Sequence, residues 1–103
     1  MKYILDNDEN PVLEPDILKW GEWYETADRQ VADTKIDGVR ISTVFLGIDH
    51  AFGSGDPVLY ETMIFGGEHN EYQERCGNKV AAIGMHDRAV AMVHDAEHPA
   101  ATT

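Results

Sequence analysis

The side chains in this sequence that could do chemistry are two acids and two histidines. Asp49 and His50 are adjacent in a glycine-rich stretch. Glu61 lies in the apolar run that follows, and His86 stands further on among small and apolar residues. A buried acid beside a histidine produces a base with a tuned pKa, and two histidines with a carboxylate are a known metal-ligand set. The four residues therefore predict a pocket for a metal ion or a small polar ligand, or an active site built from the same cluster.

The same residues also have a structural interpretation, which the sequence favours. His86 is typical of a core histidine that bonds a backbone carbonyl. Glu61 is expected to pair with Arg40 or with a hydroxyl such as that of Thr43. Asp49 and the histidine after it would shape the loop, with the Asp49 carboxylate accepting from backbone amides. Because the four residues lack the tight spacing of a metal motif, we predict no cofactor and favour a protein without catalytic activity.

The loop that carries Asp49 connects two predicted strands, over residues 39–48 and 58–65. The first strand alternates and then becomes apolar on both faces from Val44 to Ile48, which predicts a central strand covered on both sides at that end. In the second strand, alternation places Glu61 on one face of the sheet and Tyr60 and Thr62 on the opposite face. The intervening loop holds the turn formers Gly53, Gly55, Asp56 and Pro57.

The remaining elements complete a small α+β domain. A short strand is predicted over residues 2–5, a helix over 15–29, a weak strand over 31–36 that enters a hairpin at Asp37-Gly38, and an edge strand over 72–76. Asn78 is the predicted N-cap of a second helix that runs to about residue 95, followed by a frayed tail from about residue 97. The helix carries one apolar arc, expected to lie on the sheet: Ala82, Ile83, His86, Ala89, Val90 and Val93. We predict a single domain, 1–103, with an antiparallel sheet of three to five strands and two helices, at least one packed on the sheet.

The first predicted helix offers a candidate interface. Its apolar stripe consists of Ile17, Trp20, Tyr24 and Ala27. Trp23 and Leu18 lie off that stripe. Core packing is the favoured interpretation of Trp23; the alternative is an exposed anchor for a partner, flanked by the acids Glu22, Glu25 and Asp28.

The net charge of the chain limits the kinds of partner that it can bind. The chain has 19 acidic and 8 basic residues, for a formal net charge of -11. Direct binding of nucleic acid or of an anionic membrane is disfavoured, because both need clustered Lys and Arg. A partner with a basic surface would be attracted, although excess acid also serves solubility alone. The single cysteine, Cys76, permits no intrachain disulfide and fits the cytoplasm. From the sequence we expect no signal peptide and no membrane-spanning segment.

The run ISTVFLGIDHAFGSGDPVLYETMIFGG, over residues 41–67, resembles a family of short, mostly uncharacterised proteins of tailed bacteriophages and prophages. Members carry a segment similar to STVFLGxDHxFGxGxPxLxETMxFGG. The likeness extends over residues 3–28 and to Gly84-Met85-His86-Asp87, which matches a Gly-x-His-acid motif in the family's C-terminal helix. Gly55-Asp56-Pro57 departs from the pattern, since relatives more often have a second proline there.

The resemblance implies a phage-encoded accessory protein acting in the cytoplasm of the bacterial host. Small acidic phage proteins are often inhibitors of host enzymes or of defence complexes, anti-CRISPR proteins among them, so it implies protein binding to a host or defence protein. It assigns no catalytic residue. A homodimer stays open as an alternative.

Overall fold

The computed structural model describes residues 1–51 and 55–99. The predicted turn residue Gly53 and the end of the predicted tail, 100–103, lie outside the described residues. The elements in chain order are β1 (Tyr3–Leu5), β2 (Pro11–Leu13), α1 (Ile17–Thr26), β3 (Gln30–Ile36), β4 (Val39–Phe45), β5 (Tyr60–Phe65), β6 (Gln73–Cys76) and α2 (Lys79–Glu97). The chain is an α+β fold of two helices and two antiparallel sheets, which confirms the predicted fold class.

The larger sheet has four antiparallel strands in the order β3-β4-β5-β6. Its first hairpin is confirmed, because Asp37 and Gly38 both adopt positive φ, +48° and +84°, as a type I′ turn requires. The predicted edge strand forms β6 and pairs with β5 through Tyr60 and Cys76. The sheet is therefore a sequential meander, in which each strand pairs with the next one along the chain.

Helix α2 packs on one face of this sheet and encloses the core. The Asn78 carboxamide accepts from the Ala81 amide at 2.8 Å, which confirms the predicted N-cap. The core consists of Val39, Ile41, Phe45, Leu59, Tyr60 and Ile64 with Ala82, Met85, Ala89 and Val93 of the helix. The predicted arc was wrong in one detail: Ile83 is 47% exposed, because the helix is rotated so that Met85 faces the sheet instead.

The opposite face of the four-stranded sheet, here called the open face, is covered by no helix in the described part of the chain. The expectation that the end of the β4 region is covered on both sides was therefore wrong. β4 ends at Phe45, Val44 is only half-buried on the open face, and Ile48 is exposed. The apolar run from Val44 to Ile48 continues past the end of the strand, because the chain turns at Gly47, which has a φ of +77°.

Residues 1–28 form the N-terminal unit, made of the β1-β2 hairpin and α1. Helix α1 is shorter than predicted at both ends. It begins at Ile17 because the Asp16 carboxylate caps it by accepting from the amides of Leu18 and Lys19 at 3.0 and 3.3 Å. No residue of α1 is fully buried. The Trp20 indole N–H holds the helix in place by donating to the carbonyls of Tyr3 and Gly47 at 3.1 and 3.0 Å.

Candidate functional site

His86 lies in a polar cluster between α2 and the sheet. Its Nδ1 lies 2.8 Å from the hydroxyl oxygen of Thr43, and its Nε2 lies 2.9 Å from that of Thr34. The Thr43 hydroxyl also bonds that of Thr62 across the β4-β5 pair. A neutral imidazole has one donor and one acceptor nitrogen, so both threonines are satisfied without a charge. Burial lowers the pKa of His86 by more than the nearby charges of Asp87 and Asp33 raise it.

The burial of this cluster favours a structural role. A hydroxyl beside an imidazole is the start of a nucleophilic site, but Thr43 and Thr62 are fully buried and His86 is nearly so. A substrate carbonyl cannot reach a hydroxyl that is closed off by the core. The core interpretation of His86 fits this placement, although its partners are threonine hydroxyls and not the backbone carbonyl that we expected.

Asp49 organises the base of its loop. One carboxylate oxygen accepts from the amides of Ala51 and Val58, each at 2.8 Å. These two hydrogen bonds, Ala51 first, hold the pKa of the Asp49 carboxyl below its ordinary value. The His50 amide donates to the Val58 carbonyl at 3.0 Å. Asp49 and His50 therefore both hold the start of the loop against its end at Val58. This geometry matches the loop-forming interpretation of Asp49.

Glu61 lies on the open face. Its carboxylate pairs with the Arg75 guanidinium of the neighbouring strand at 2.8 Å and also accepts from the Gln73 side chain. Arg40, the partner expected from the sequence, instead pairs with Asp33 at 3.0 Å. The difference comes from register, because Glu61 is directly opposite Arg75 in the β5-β6 pair.

The structure does not bring the four predicted residues together. Glu61 is on the open face, whereas His86 bonds Thr43, whose hydroxyl also bonds Thr62 on the other face of the strand that carries Glu61. Within residues 1–51 and 55–99, no group of three His, Cys, Asp or Glu side chains is placed to hold a metal ion. The geometry therefore provides no shared ligand sphere for Glu61 and His86.

Comparison with known proteins returns no matching family, curated protein or solved structure. The likeness to phage proteins thus rests on the motifs in the sequence. In the described ranges no helix combines the length and apolarity needed to cross a membrane.

The interface residues predicted on α1 divide into two groups. Trp23 is half-buried and meets Phe45 edge-on, with 5.9 Å between ring centroids. It therefore belongs to the packing of α1 against the end of the core, as the favoured interpretation held. Glu22, Glu25 and Asp28 are exposed, and Asp28 also accepts from the Gln30 amide at 3.0 Å.

Two features were missed from the sequence. The threonine cluster depends on the register that brings Thr43 opposite Thr62, and alternation within single strands does not give that register. Exposed apolar side chains also gather in the N-terminal unit: Met1, Val12, Leu13, Ile17 and Leu18. The sequence did contain one indication of this exposed apolar surface, because Leu18 lies off the predicted apolar stripe of the helix.

Proposed function

We propose that this chain is a phage-encoded accessory protein that binds a basic host or defence protein in the bacterial cytoplasm and inhibits it without catalysis. The observation that carries the proposal is the uneven distribution of charge. The N-terminal unit has eight acids and two lysines, a net charge of −6, and the other 75 residues account for the remaining −5. More than half of the net charge thus lies in about a quarter of the chain.

The N-terminal unit combines excess acidic residues with exposed apolar side chains. This combination supports a role in protein binding and is not explained by solubility alone. A charge excess that serves only solubility needs no neighbouring apolar surface. Leu13, Ile17 and Leu18 are all exposed in this unit, beside the acids Glu14 and Asp16. Apolar contact would supply affinity, while the acidic field would select a basic partner and speed the encounter.

Affinity capture from a host lysate at low and at moderate salt tests the proposal. The wild-type bait is expected to retain a basic protein that moderate salt releases, because salt screens exposed charges. The double variant Glu22→Gln/Glu25→Gln removes two exposed acids of α1 and should capture less of it.

The matched control is Glu68→Gln/Glu71→Gln, which removes two exposed acids between β5 and β6 and should capture as much as wild type. Adding purified wild-type protein should then inhibit the captured protein in stoichiometric amounts. Absence of any salt-sensitive partner, or equal loss in both variants, would contradict the proposal.

A further inference from the structure

Strand β3 forms one edge of the four-stranded sheet. Within residues 1–51 and 55–99 it contacts β4 and α2 but no other helix or strand, and α2 lies across the face of the sheet, since it also contacts β4, β5 and β6. β3 is seven residues long and contains no proline. A strand of this kind leaves a row of unpaired backbone amides and carbonyls at the sheet edge, to which another strand can bond.

Alternation along β4 shows which backbone groups of β3 point outward. The Phe45 amide donates to the carbonyl of the residue just before β3 at 2.8 Å, and the Leu46 amide donates to that of the residue just before β5 at 2.7 Å. Odd-numbered residues of β4 therefore bond β3, and their partners from residue 32 to residue 36 are the even-numbered ones. The amides and carbonyls of Asp33 and Lys35 consequently point away from the sheet.

Two features that block pairing at a sheet edge have little effect in this strand. The bulge lies between Gln30 and Ala32, so residues 32–36 keep a regular register with β4. Charged side chains at an edge repel a second strand when they meet a like charge, but Asp33 and Lys35 have opposite signs and both are exposed. With one acid and one base, residues 30–36 carry no net charge, whereas the whole chain carries -11.

The order of charges along β3 is complementary to its own reverse. When two copies of β3 pair antiparallel about a twofold axis at Thr34, Asp33 of each copy lies opposite Lys35 of the other. These are the residues whose backbone groups point outward, so each such pair can exchange two hydrogen bonds. An axis at Asp33 or at Lys35 would instead place two like charges directly opposite each other, which is destabilising. The strand therefore specifies one register for a second copy.

The ion pairs of the chain leave both side chains able to bond across such an interface. Asp33 pairs with Arg40 at 3.0 Å on the open face, and both side chains are 42% exposed. Lys35 takes part in no ion pair among the residues that the structure describes. The Lys35 ammonium can therefore donate to the Asp33 carboxylate of a second copy without losing a partner in its own chain.

We infer that this chain forms a homodimer in which two copies of β3 pair antiparallel about Thr34 and join the two four-stranded sheets into one sheet of eight strands. Both copies of α2 then lie on the same side of the joined sheet, because the twofold axis is perpendicular to it. The inference is independent of the proposed function, since it concerns the purified protein alone.

Sedimentation of the full-length protein over a range of concentrations tests the inference. Wild type is expected to change from monomer to dimer at about 0.15 M salt, where the Debye length of about 8 Å screens the acids outside β3. Lys35→Glu places two acids opposite each other in both pairs, and Asp33→Lys places two bases there. Each variant should therefore dimerise at least about tenfold more weakly than wild type.

A mixture and a matched control separate local pairing from net charge. An equimolar mixture of Lys35→Glu and Asp33→Lys restores opposite charges in both pairs and should recover the mass of a dimer. Lys19→Glu makes the same change in net charge at an exposed position of α1 and should dimerise as wild type does. Thermal unfolding of each variant verifies the fold.

Amide hydrogen exchange of wild type identifies the surface without any variant. The amides of Asp33 and Lys35 point outward, so they should exchange rapidly in the dilute monomer and slowly in the concentrated dimer.

Any of four results would overturn the inference. They are a monomer that persists at about 1 mM, a dimer that Lys35→Glu and Lys19→Glu affect equally, a mixture of the two folded variants that stays monomeric, and a dimer in which the amides of Asp33 and Lys35 still exchange rapidly. The last result would place the contact on another surface. Capture of a host protein, or its failure, decides the proposed function and has no bearing on these four results.

Discussion

The sheet with α2 and the N-terminal unit are built on different principles. In the former, Ile41, Ile64 and Met85 are almost completely shielded from water, and even its polar residues Thr43 and His86 are satisfied internally. The N-terminal unit has a helix without a single buried residue and is held by half-buried aromatic rings and a few hydrogen bonds. The sheet and α2 bury their apolar side chains in a core that stabilises the fold, whereas the N-terminal unit leaves many of its apolar side chains in contact with water.

This contrast indicates where binding should be sought. A surface that keeps both apolar side chains and excess acid exposed gains nothing for folding from them. The open face of the sheet is less suited to a basic partner, because its acids Asp33 and Glu61 are already paired with Arg40 and Arg75.

The largest expected effect is the loss of core packing. Ile64→Ala should lower the free energy of unfolding by about 2–5 kcal/mol, because the side chain is fully buried between the sheet and α2. Leu18→Ala, the matched change in the N-terminal unit, should stay within about 0.5 kcal/mol. Urea denaturation measures both, and comparable losses at the two sites would remove the contrast between the regions.

A smaller loss is expected where the two regions meet. Trp20→Phe keeps an aromatic ring against Tyr24, whose ring centroid lies 4.7 Å away, but removes the N–H that bonds Tyr3 and Gly47. The cost should be about 1 kcal/mol. Amide hydrogen exchange should show faster opening of α1 and β1 while β4 and β5 keep their protection. Equal acceleration in both regions would show that they unfold as one unit.

Most of the fold could be predicted from local pattern, and the site could not. The hairpin at Asp37-Gly38 and the Asn78 cap depend on neighbouring residues, and both were predicted correctly. The partner of Glu61 depends on which residue of β6 lies opposite, and the exposure of Ile17 depends on what α1 packs against. Both depend on tertiary contacts, which the periodicity of a single helix or strand does not predict.

The next expected effect, again about 1 kcal/mol, concerns the histidine in the core. His86→Leu removes hydrogen bonds to Thr34 and Thr43, but Thr43 keeps Thr62 as a partner. The outcome that would contradict the structural role of His86 is an unfolding free energy unchanged at every pH.

The pH dependence of wild type gives the smallest and most specific effect. Because the folded pKa of His86 is lowered, the unfolded chain takes up its proton first as pH falls below about 6.5. The free energy of unfolding should therefore decrease on acidification through that range, and His86→Leu should lose this part of the slope. Denaturant midpoints from neutral to mildly acidic pH measure it. A wild-type stability that rises on acidification, only with His86 present, would show a raised pKa and contradict the core placement.

Hydrogen exchange of the full chain, alone and saturated with the captured host protein, tests most directly whether the N-terminal unit is the binding region. New protection is expected at amides of residues 1–28, with β4 and β5 unchanged. New protection centred on β4 and β5, without any in residues 1–28, would contradict the claim that the acidic, apolar N-terminal unit is where the partner binds.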